Sequence, residues 1–146
     1  MAVTSTPFRS FLLAVGTNDL DLTADTFKII LVNAYTFDVT HDTFSDISAN
    51  EIANGNGYTT GGQSLSNVSW AWNSGISKWK WDADDLTWTA VGGAIGPANG
   101  AIIFDNTTSD KKLVAFIDFG QSETAGQDTD FKITFGANGI FTFGLV

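Results

Sequence analysis

The sequence predicts a mainly β fold, either an antiparallel β-sandwich or a barrel-like meander or Greek key, with one short helix near the N-terminus. Its 146 residues include 15 glycines, 12 phenylalanines and 5 tryptophans, a composition typical of β-rich proteins with many turns. Beyond residue 62, apolar runs of strand length alternate with turns rich in glycine, asparagine and aspartate. This regular spacing favours consecutive antiparallel strands.

The N-terminal region predicts an arm followed by a helix. We expect residues 1–6 to form a flexible arm and residues 7–146 to form a single β-rich domain, since 146 residues is a normal domain size. Thr6 can cap a helix, Pro7 suits the first helical position, and Gly16 suits the residue after the last turn. The apolar residues that then share one helical face are Phe8, Phe11, Leu12 and Val15.

Strands account for most of the remaining chain. Residues 26–32 form a near-continuous apolar run, which indicates a strand covered on both faces. Residues 46–52 are expected to form one helical turn within an otherwise irregular stretch. The other predicted strands are residues 63–72, 78–83, 86–90, 99–105, 112–119, 130–136 and 139–145.

Four of the tryptophans flank one predicted hairpin turn: Trp70, Trp72, Trp79 and Trp81. With Gly75 and Ile76 at the centre of a two-residue turn, glycine takes the first central position, as a type II′ turn requires. In this register Trp72 pairs with Trp79, and Trp70 with Trp81. Residues two apart in a strand share a face, so all four indoles project from one side of the ribbon. Ala71, Lys78 and Lys80 occupy the other side.

An aromatic face of this size is expected to be shielded from water by the chain's own core, by another subunit or by a ligand. Each buried indole removes roughly 150–250 Å² from water, and an uncovered patch of four is unusual on a soluble monomer. We therefore favour burial, in the core or between subunits, over a platform on which sugar rings stack. Interface centres favour large aromatic side chains. The candidate residues for subunit or partner contact are Phe8, Phe11, Leu12, Trp70, Trp72, Trp79 and Trp81.

Composition and charge exclude several classes of function. The absence of cysteine excludes disulfides, thiol catalysis and cysteine-ligated metals, and the single histidine, His41, cannot build a multi-histidine site. A net charge of −9 repels phosphate backbones, so we expect no nucleic-acid partner. No stretch approaches the roughly 18–20 apolar residues that cross a bilayer, so we expect no membrane partner. We also expect no cofactor and no metal site.

The candidates for catalysis are weak. The densest acidic cluster, Asp82, Asp84 and Asp85, lacks the ligand spacing of a Ca²⁺-binding loop, and a hydrolytic pair would need its carboxylates on either side of a cleft. The cluster ends one strand and begins a turn, where aspartate is favoured because its side chain bonds the backbone. His41 beside Asp42 is interpreted as a solvated loop histidine, since no nucleophile elbow accompanies it. We therefore expect no catalytic residues and no enzyme activity.

Seven segments occur in order along nearly the whole chain. They are FRSFL (8–12), LTADTFKI (22–29), EIANGNGYTTGG (51–62), ADDLTWTA (83–90), GGAIGP (92–97), LVAFIDFG (113–120) and NGIFT (138–142). As an ordered set, they resemble a widespread family of small virion structural proteins of tailed bacteriophages. Each segment alone is a common turn or strand pattern, so the order carries the resemblance.

The resemblance implies a capsid decoration, or cement, protein without enzymatic activity. Such a protein, often a homotrimer, binds the major capsid protein on the outer surface of the head and bridges its subunits. The implied location is the capsid exterior of the virion, and the host cytoplasm during assembly. The alternative that stays open is a glycan- or receptor-binding module of a phage tail or fibre, which exposed tryptophans would suit.

Overall fold

The computed structural model describes residues 4–144 and confirms the predicted fold class, a mainly β, sandwich-like arrangement of antiparallel sheets with a short helix near the N-terminus. The helices are α1 (Arg9–Gly16) and α2 (Phe44–Ile47), and α2 continues into a 3-10 turn (Ser48–Asn50). The strands are β1 (Thr4–Pro7), β2 (Phe27–Val32), β3 (Gln63–Ser64), β4 (Ser69–Asn73), β5 (Lys78–Asp82), β6 (Leu86–Thr89), β7 (Ile95–Asp105), β8 (Leu113–Ala125), β9 (Asp130–Ile133) and β10 (Phe141–Gly144).

These strands form three antiparallel sheets. The largest has the order β1-β8-β7-β2-β3, the second has the order β10-β5-β4, and β6 pairs with β9 in the third. Helix α1 lies between β1 and β2 in the sequence and packs against β8. The two smaller sheets contribute side chains to the core on one face of the five-stranded sheet.

Strand β2 is buried on both faces, as its apolar run predicts. Ile29 and Leu31 belong to the core shared with the two smaller sheets. Ile30 and Val32 belong to a second core on the opposite face, together with Ile47 of α2. All five side chains are fully buried. The segment between β2 and β3 therefore serves as the cover of the second face.

The predicted N-terminal arm is wrong for residues 4–6, while residues 1–3 lie outside the described part of the chain. Thr4–Pro7 form edge strand β1, with Thr4 opposite Asp118 and Pro7 opposite Ala115 of β8. Proline is tolerated on an edge strand because its missing N–H can face away from the ladder. The pairing requires extended backbone through Pro7, so α1 begins at Arg9 rather than at the predicted Pro7.

Several predicted strand boundaries also differ from the structure. The predicted strand 63–72 is two short strands, because Asn67 between them adopts a left-handed conformation (φ 51°) that an extended strand does not contain. Strands β7 and β8 begin or end outside their predicted ranges and form the longest pair. The helical turn expected at 46–52 lies at residues 44–50, where Thr43 and Asp46 form a capping box.

Asp105, at the end of β7, is the only buried charged side chain among residues 4–144. Its Oδ1 accepts a hydrogen bond from the N–H of Thr107 (2.7 Å), whereas its Oδ2 has no hydrogen-bond partner. Burial and the neighbouring carboxylate of Asp25 together raise the pKa of Asp105 to about 6. The opposing residue Lys112 does not neutralise it, since that ammonium reaches Asp110 (2.7 Å).

We predict that Asp105→Asn flattens the pH dependence of stability between about pH 4 and pH 6.5. Because the folded-state pKa is raised, the stability contributed by this group is fully present below its ordinary value of 3.8 and is lost as the pH rises through about 6. The loss is of the order of 2 kcal/mol, and a neutral amide does not incur it. Urea unfolding of both proteins at several pH values measures the difference. The same pH dependence in both proteins would contradict this assignment.

Candidate functional site

The three-stranded sheet carries six aromatic side chains in two cross-strand rows, here called the aromatic face. Pairing of β10 with β5 places Phe141 opposite Trp81 and Phe143 opposite Trp79. Pairing of β5 with β4 continues both rows. The inner row is Phe141, Trp81 and Trp70, and the outer row is Phe143, Trp79 and Trp72.

The hairpin has the predicted register but a different turn. Trp70 lies opposite Trp81 and Trp72 opposite Trp79, which confirms that the four indoles share one face. The last strand pair is Asn73 with Lys78, so four residues, 74–77, form the connection. The left-handed residue is Ser77 (φ 54°) and not Gly75. The Asn73 side chain accepts the N–H of Gly75 (3.0 Å) and its backbone carbonyl oxygen accepts the N–H of Ile76 (3.4 Å), so a four-residue connection stands where the two-residue type II′ turn was expected.

The centre of the inner row, Trp81, lies between the sheets. Trp81 is fully buried, packs edge-to-face on Phe27 (5.0 Å between centroids) and stacks on Phe141 (5.2 Å). Its indole N–H donates to the carbonyl oxygen of Leu22 (3.1 Å), so the polar atom is satisfied. Trp81 therefore joins the hairpin to β2 and to the loop before β2.

Two of the three outer-row side chains, Trp72 and Trp79, are open to solvent, while Phe143 packs in part against the core. Trp79 retains 43% of its surface exposure and Trp72 retains 50%. Trp70, half-buried, stacks on Trp79 with parallel rings 5.6 Å apart, and Trp72 meets Trp79 nearly edge-on at 5.8 Å. The indoles cover one another only in part, so a continuous aromatic surface remains exposed at the end of the hairpin.

Helix α1 extends this exposed surface across a groove of about 300 Å³. Leu12 and Val15 on the helix side are 54% and 44% exposed. The groove is lined by Phe11, Leu12, Val15, Leu22, Trp70 and Phe143. We define the open patch as this groove together with Trp72 and Trp79. Its lining side chains are all apolar, so it can bind a ligand by desolvation of apolar surface and offers no group for proton transfer or metal coordination.

The structure separates the predicted interface residues into two groups. Phe8, Phe11 and Trp81 are core residues with at most 1% exposure, so the prediction that they contact a partner is corrected. Phe8 belongs to the core under α2, and Phe11 to the core between the sheets. Their burial by this chain leaves almost no surface for a second one, and Phe11 lines the groove with only 1% of its surface exposed. The residues that remain accessible are Leu12, Trp70, Trp72 and Trp79.

Three residues of the open patch were missed by the sequence interpretation: Val15, Leu22 and Phe143. Phe143 was part of a predicted strand, and its spacing of two from Phe141 was a usable signal of a shared face. The pairing of that strand with the tryptophan hairpin had no local signal, because the two segments are far apart in sequence. Val15 was predicted to share an apolar helical stripe with Phe11. The buried residues of α1 include Phe11 and Ala14, so Val15 is left exposed at the edge of the groove.

The three carboxylates of the acidic cluster make separate contacts. Asp82 pairs with Lys80 (2.8 Å), Asp84 accepts the Asn67 side-chain amide (2.6 Å), and Asp85 accepts the N–H of Phe135 (2.9 Å). Asp82 thus pairs within β5, whereas Asp84 and Asp85 each bond a different distant segment. His41 is not fully solvated as expected, because its Nδ1 lies 3.1 Å from the hydroxyl of Tyr35 and the rings are in contact.

The chain was compared with known proteins, and no family model, curated protein or solved structure matches it. Within residues 4–144, no helix combines the length and the apolar character that a membrane-spanning helix requires.

We predict opposite outcomes for two tryptophans on the same hairpin face. Trp81→Ala should lower the free energy of unfolding by about 3–5 kcal/mol, because it removes a fully buried indole between two sheets. Trp72→Ala should lower it by about 1 kcal/mol or less, because half of that indole is already in water. Urea unfolding followed by circular dichroism provides both values. Losses of equal size would show that the division between the two rows is wrong.

Proposed function

We propose that this chain is a structural protein of a tailed-bacteriophage particle, a capsid decoration protein that binds the outer surface of the head. The observation that carries the proposal is the open patch, where Trp72, Trp79 and Leu12 remain about half exposed beside an apolar groove. Contiguous exposed apolar surface on a soluble protein marks a binding site. The ordered segments that resemble virion proteins favour a capsid as the partner.

The composition of the patch is that expected of a protein–protein interface. Tryptophan is enriched among residues whose truncation costs the most binding energy, and such residues lie at the centre of an interface within a polar rim. Here the outer row supplies the central indoles. Lys78 and Lys80 lie on the opposite side of the ribbon and leave the aromatic surface uninterrupted.

A binding role of this kind stabilises a shell by linkage. A protein that binds the assembled shell, and not the free capsid subunit, shifts the equilibrium toward the assembled state. If several copies associate, as in a homotrimer, each weak contact raises the effective concentration of the next. The net charge of −9 opposes adhesion to nucleic acid released from neighbouring particles.

A second candidate function is glycan or receptor binding by a phage tail or fibre protein. The observation that favours it is the exposure of Trp72, whose ring meets Trp79 edge-on and is half open to solvent. An indole in this position can stack on a sugar ring. We rank this candidate second because the adjoining groove is apolar throughout, whereas a sugar site also needs polar groups to orient hydroxyls.

We predict that Leu12→Ser, or Trp79→Ser, weakens binding to phage heads stripped of this protein by about tenfold or more, because each change removes apolar contact from the open patch. Co-sedimentation of the purified variants with the heads measures the affinity. Leu13→Ser is the matched control, since Leu13 is on the same helix, is 64% exposed and lines a different groove beside Arg9. The control variant should bind like the wild type.

The competing outcomes are distinct. If intact phage particles, analysed by mass spectrometry and electron microscopy, do not contain the polypeptide, the virion proposal fails. If Leu13→Ser weakens binding as much as Leu12→Ser, the open patch is not the contact surface. If polysaccharide protects the tryptophans from iodide quenching while stripped heads do not bind the protein, the glycan-binding alternative is favoured.

A further inference from the structure

A cleft of about 670 Å³ lies between the edges of two different sheets. One wall is β1, the outermost strand of the five-stranded sheet, and the other is β10, the outermost strand of the three-stranded sheet. The loop between β9 and β10 completes the lining. We call this site the edge cleft and define it by residues 4, 5, 7, 134 and 136–143.

Strand β1 directs backbone hydrogen-bonding groups into the edge cleft. Along an antiparallel pair, residues that exchange hydrogen bonds with the partner strand alternate with residues whose N–H and C=O point away from it. Phe8, just after β1, is in hydrogen-bonding register with β8, because its N–H donates to the carbonyl oxygen of Val114 (3.0 Å). The alternation therefore turns the backbone groups of Ser5 and Pro7 away from β8. Both residues line the edge cleft, and since proline has no N–H, Ser5 supplies the donor.

Neither wall has the protection that edge strands usually carry. Natural edge strands are commonly blocked by charged side chains, especially lysine, or by a covering segment. The sequences of β1 and β10, TSTP and FTFG, contain no charge, and Pro7 blocks only one position. Among residues 4–144, no charged side chain lines the edge cleft. An uncharged cleft with an open strand edge suits the backbone of an extended polypeptide, which pairs by main-chain hydrogen bonds.

The rest of the protein holds both walls of the edge cleft in place. Strand β1 pairs with β8 along its whole length. In the loop before β10, the N–H of Ile140 donates to the carbonyl oxygen of Trp81 (2.8 Å), and the N–H of Gly139 donates to that of Gly136 (2.8 Å). Because the cleft is formed before binding, the ordering cost of a complex falls mainly on the incoming segment.

The strand pairing of this chain argues against a second copy as the occupant. Each strand within the described residues is already hydrogen-bonded to at least one neighbour. A copy of this chain could therefore fill the cleft only by releasing a strand from its own sheet, whereas a partner with an unpaired extended segment has no such cost. The inward side chains of that segment must be uncharged, because a charge would lose its hydration without gaining a counter-ion.

We propose that the edge cleft binds an extended, uncharged segment of a partner protein, which adds to β1 as a further strand. Phe143 lines both the edge cleft and the groove of the open patch, so the two sites meet at β10. A partner held at both sites would gain affinity from their proximity. The proposal stands apart from the virion assignment, since strand addition needs only the exposed backbone of β1.

The test is a titration of the ¹⁵N-labelled protein with a strand-forming peptide, followed by NMR. The probe has about six uncharged residues in which threonine and valine alternate, and a glycine–serine tail that ends in lysines for solubility. We expect the amide signal of Ser5 to shift and its hydrogen exchange to slow, together with shifts at residues 136–143. The matched control peptide is N-methylated at each threonine and valine, which keeps the side chains but leaves no N–H to donate. It should bind about tenfold more weakly or less.

Two substitutions of Ser5 separate backbone pairing from side-chain recognition. Ser5→Pro removes the N–H that faces the cleft and leaves the β8 side of β1 unchanged, so the affinity for the peptide should fall about tenfold or more. Ser5→Ala keeps this N–H and should bind like the wild type. Gly136→Leu is an independent variant, because a Cβ at Gly136 meets no atom within 4 Å and the side chain would occupy the cleft. It should weaken binding while its Tm stays close to that of the wild type.

Four results would count against the edge cleft. The peptide could shift no signal of the cleft at about 5 mM, a concentration above the Kd of a weak complex. The N-methylated peptide could bind as well as the unmodified one, or Ser5→Pro and Gly136→Leu could both keep full affinity. Shifts at Ser5 that grow with protein concentration alone would assign the edge to a second copy. Weaker binding in these two variants, with Ser5→Ala unchanged, supports strand addition at β1.

Discussion

The burial of Trp81 is the interaction on which the arrangement of the molecule depends. Its indole lies between the three-stranded sheet and β2 and contacts Phe27 on one side and Phe141 on the other. Its one polar atom is satisfied by the loop that precedes β2. This contact holds one end of the hairpin against the core, whereas Trp72 and Trp79, nearer the turn, remain exposed.

The same sheet therefore performs two tasks along its length. Close to the core, its aromatic residues supply stability by burial, while at the hairpin end residues of the same type remain free to bind. The groove between α1 and the sheet joins the two regions through Phe11 and Trp70. The exposed aromatic surface is carried by strands that the core itself holds in place, so its shape does not depend on a flexible loop.

Local patterns predicted the fold class and most of the candidate site. Alternation along a strand predicted the register of the tryptophans, and the apolar run of β2 predicted that both faces of this strand are buried. The predictions of contact residues and of an N-terminal arm were wrong because distant parts of the chain determine both. Phe8 and Phe11 were predicted to contact a partner because helical spacing identifies an apolar stripe but does not show which of its residues the chain's own core buries. The N-terminal residues were taken for an arm because the free edge of β8, which pairs with them, lies more than a hundred residues away. The error in the hairpin turn has a local cause. The Asn73 side chain accepts the N–H of Gly75, a hydrogen bond that the predicted backbone turn did not include.

The alternation of indoles and lysines along β5 also protects the hairpin from misalignment. A shift of one residue against β4 or β10 would turn every side chain of the strand to the opposite face. Lys80 would then replace Trp81 between the sheets, and its ammonium group would enter an apolar interior together with the Asp82 carboxylate that pairs with it. The wrong alignment is thus penalised by charge burial as well as by lost packing, so the strand has a single acceptable position.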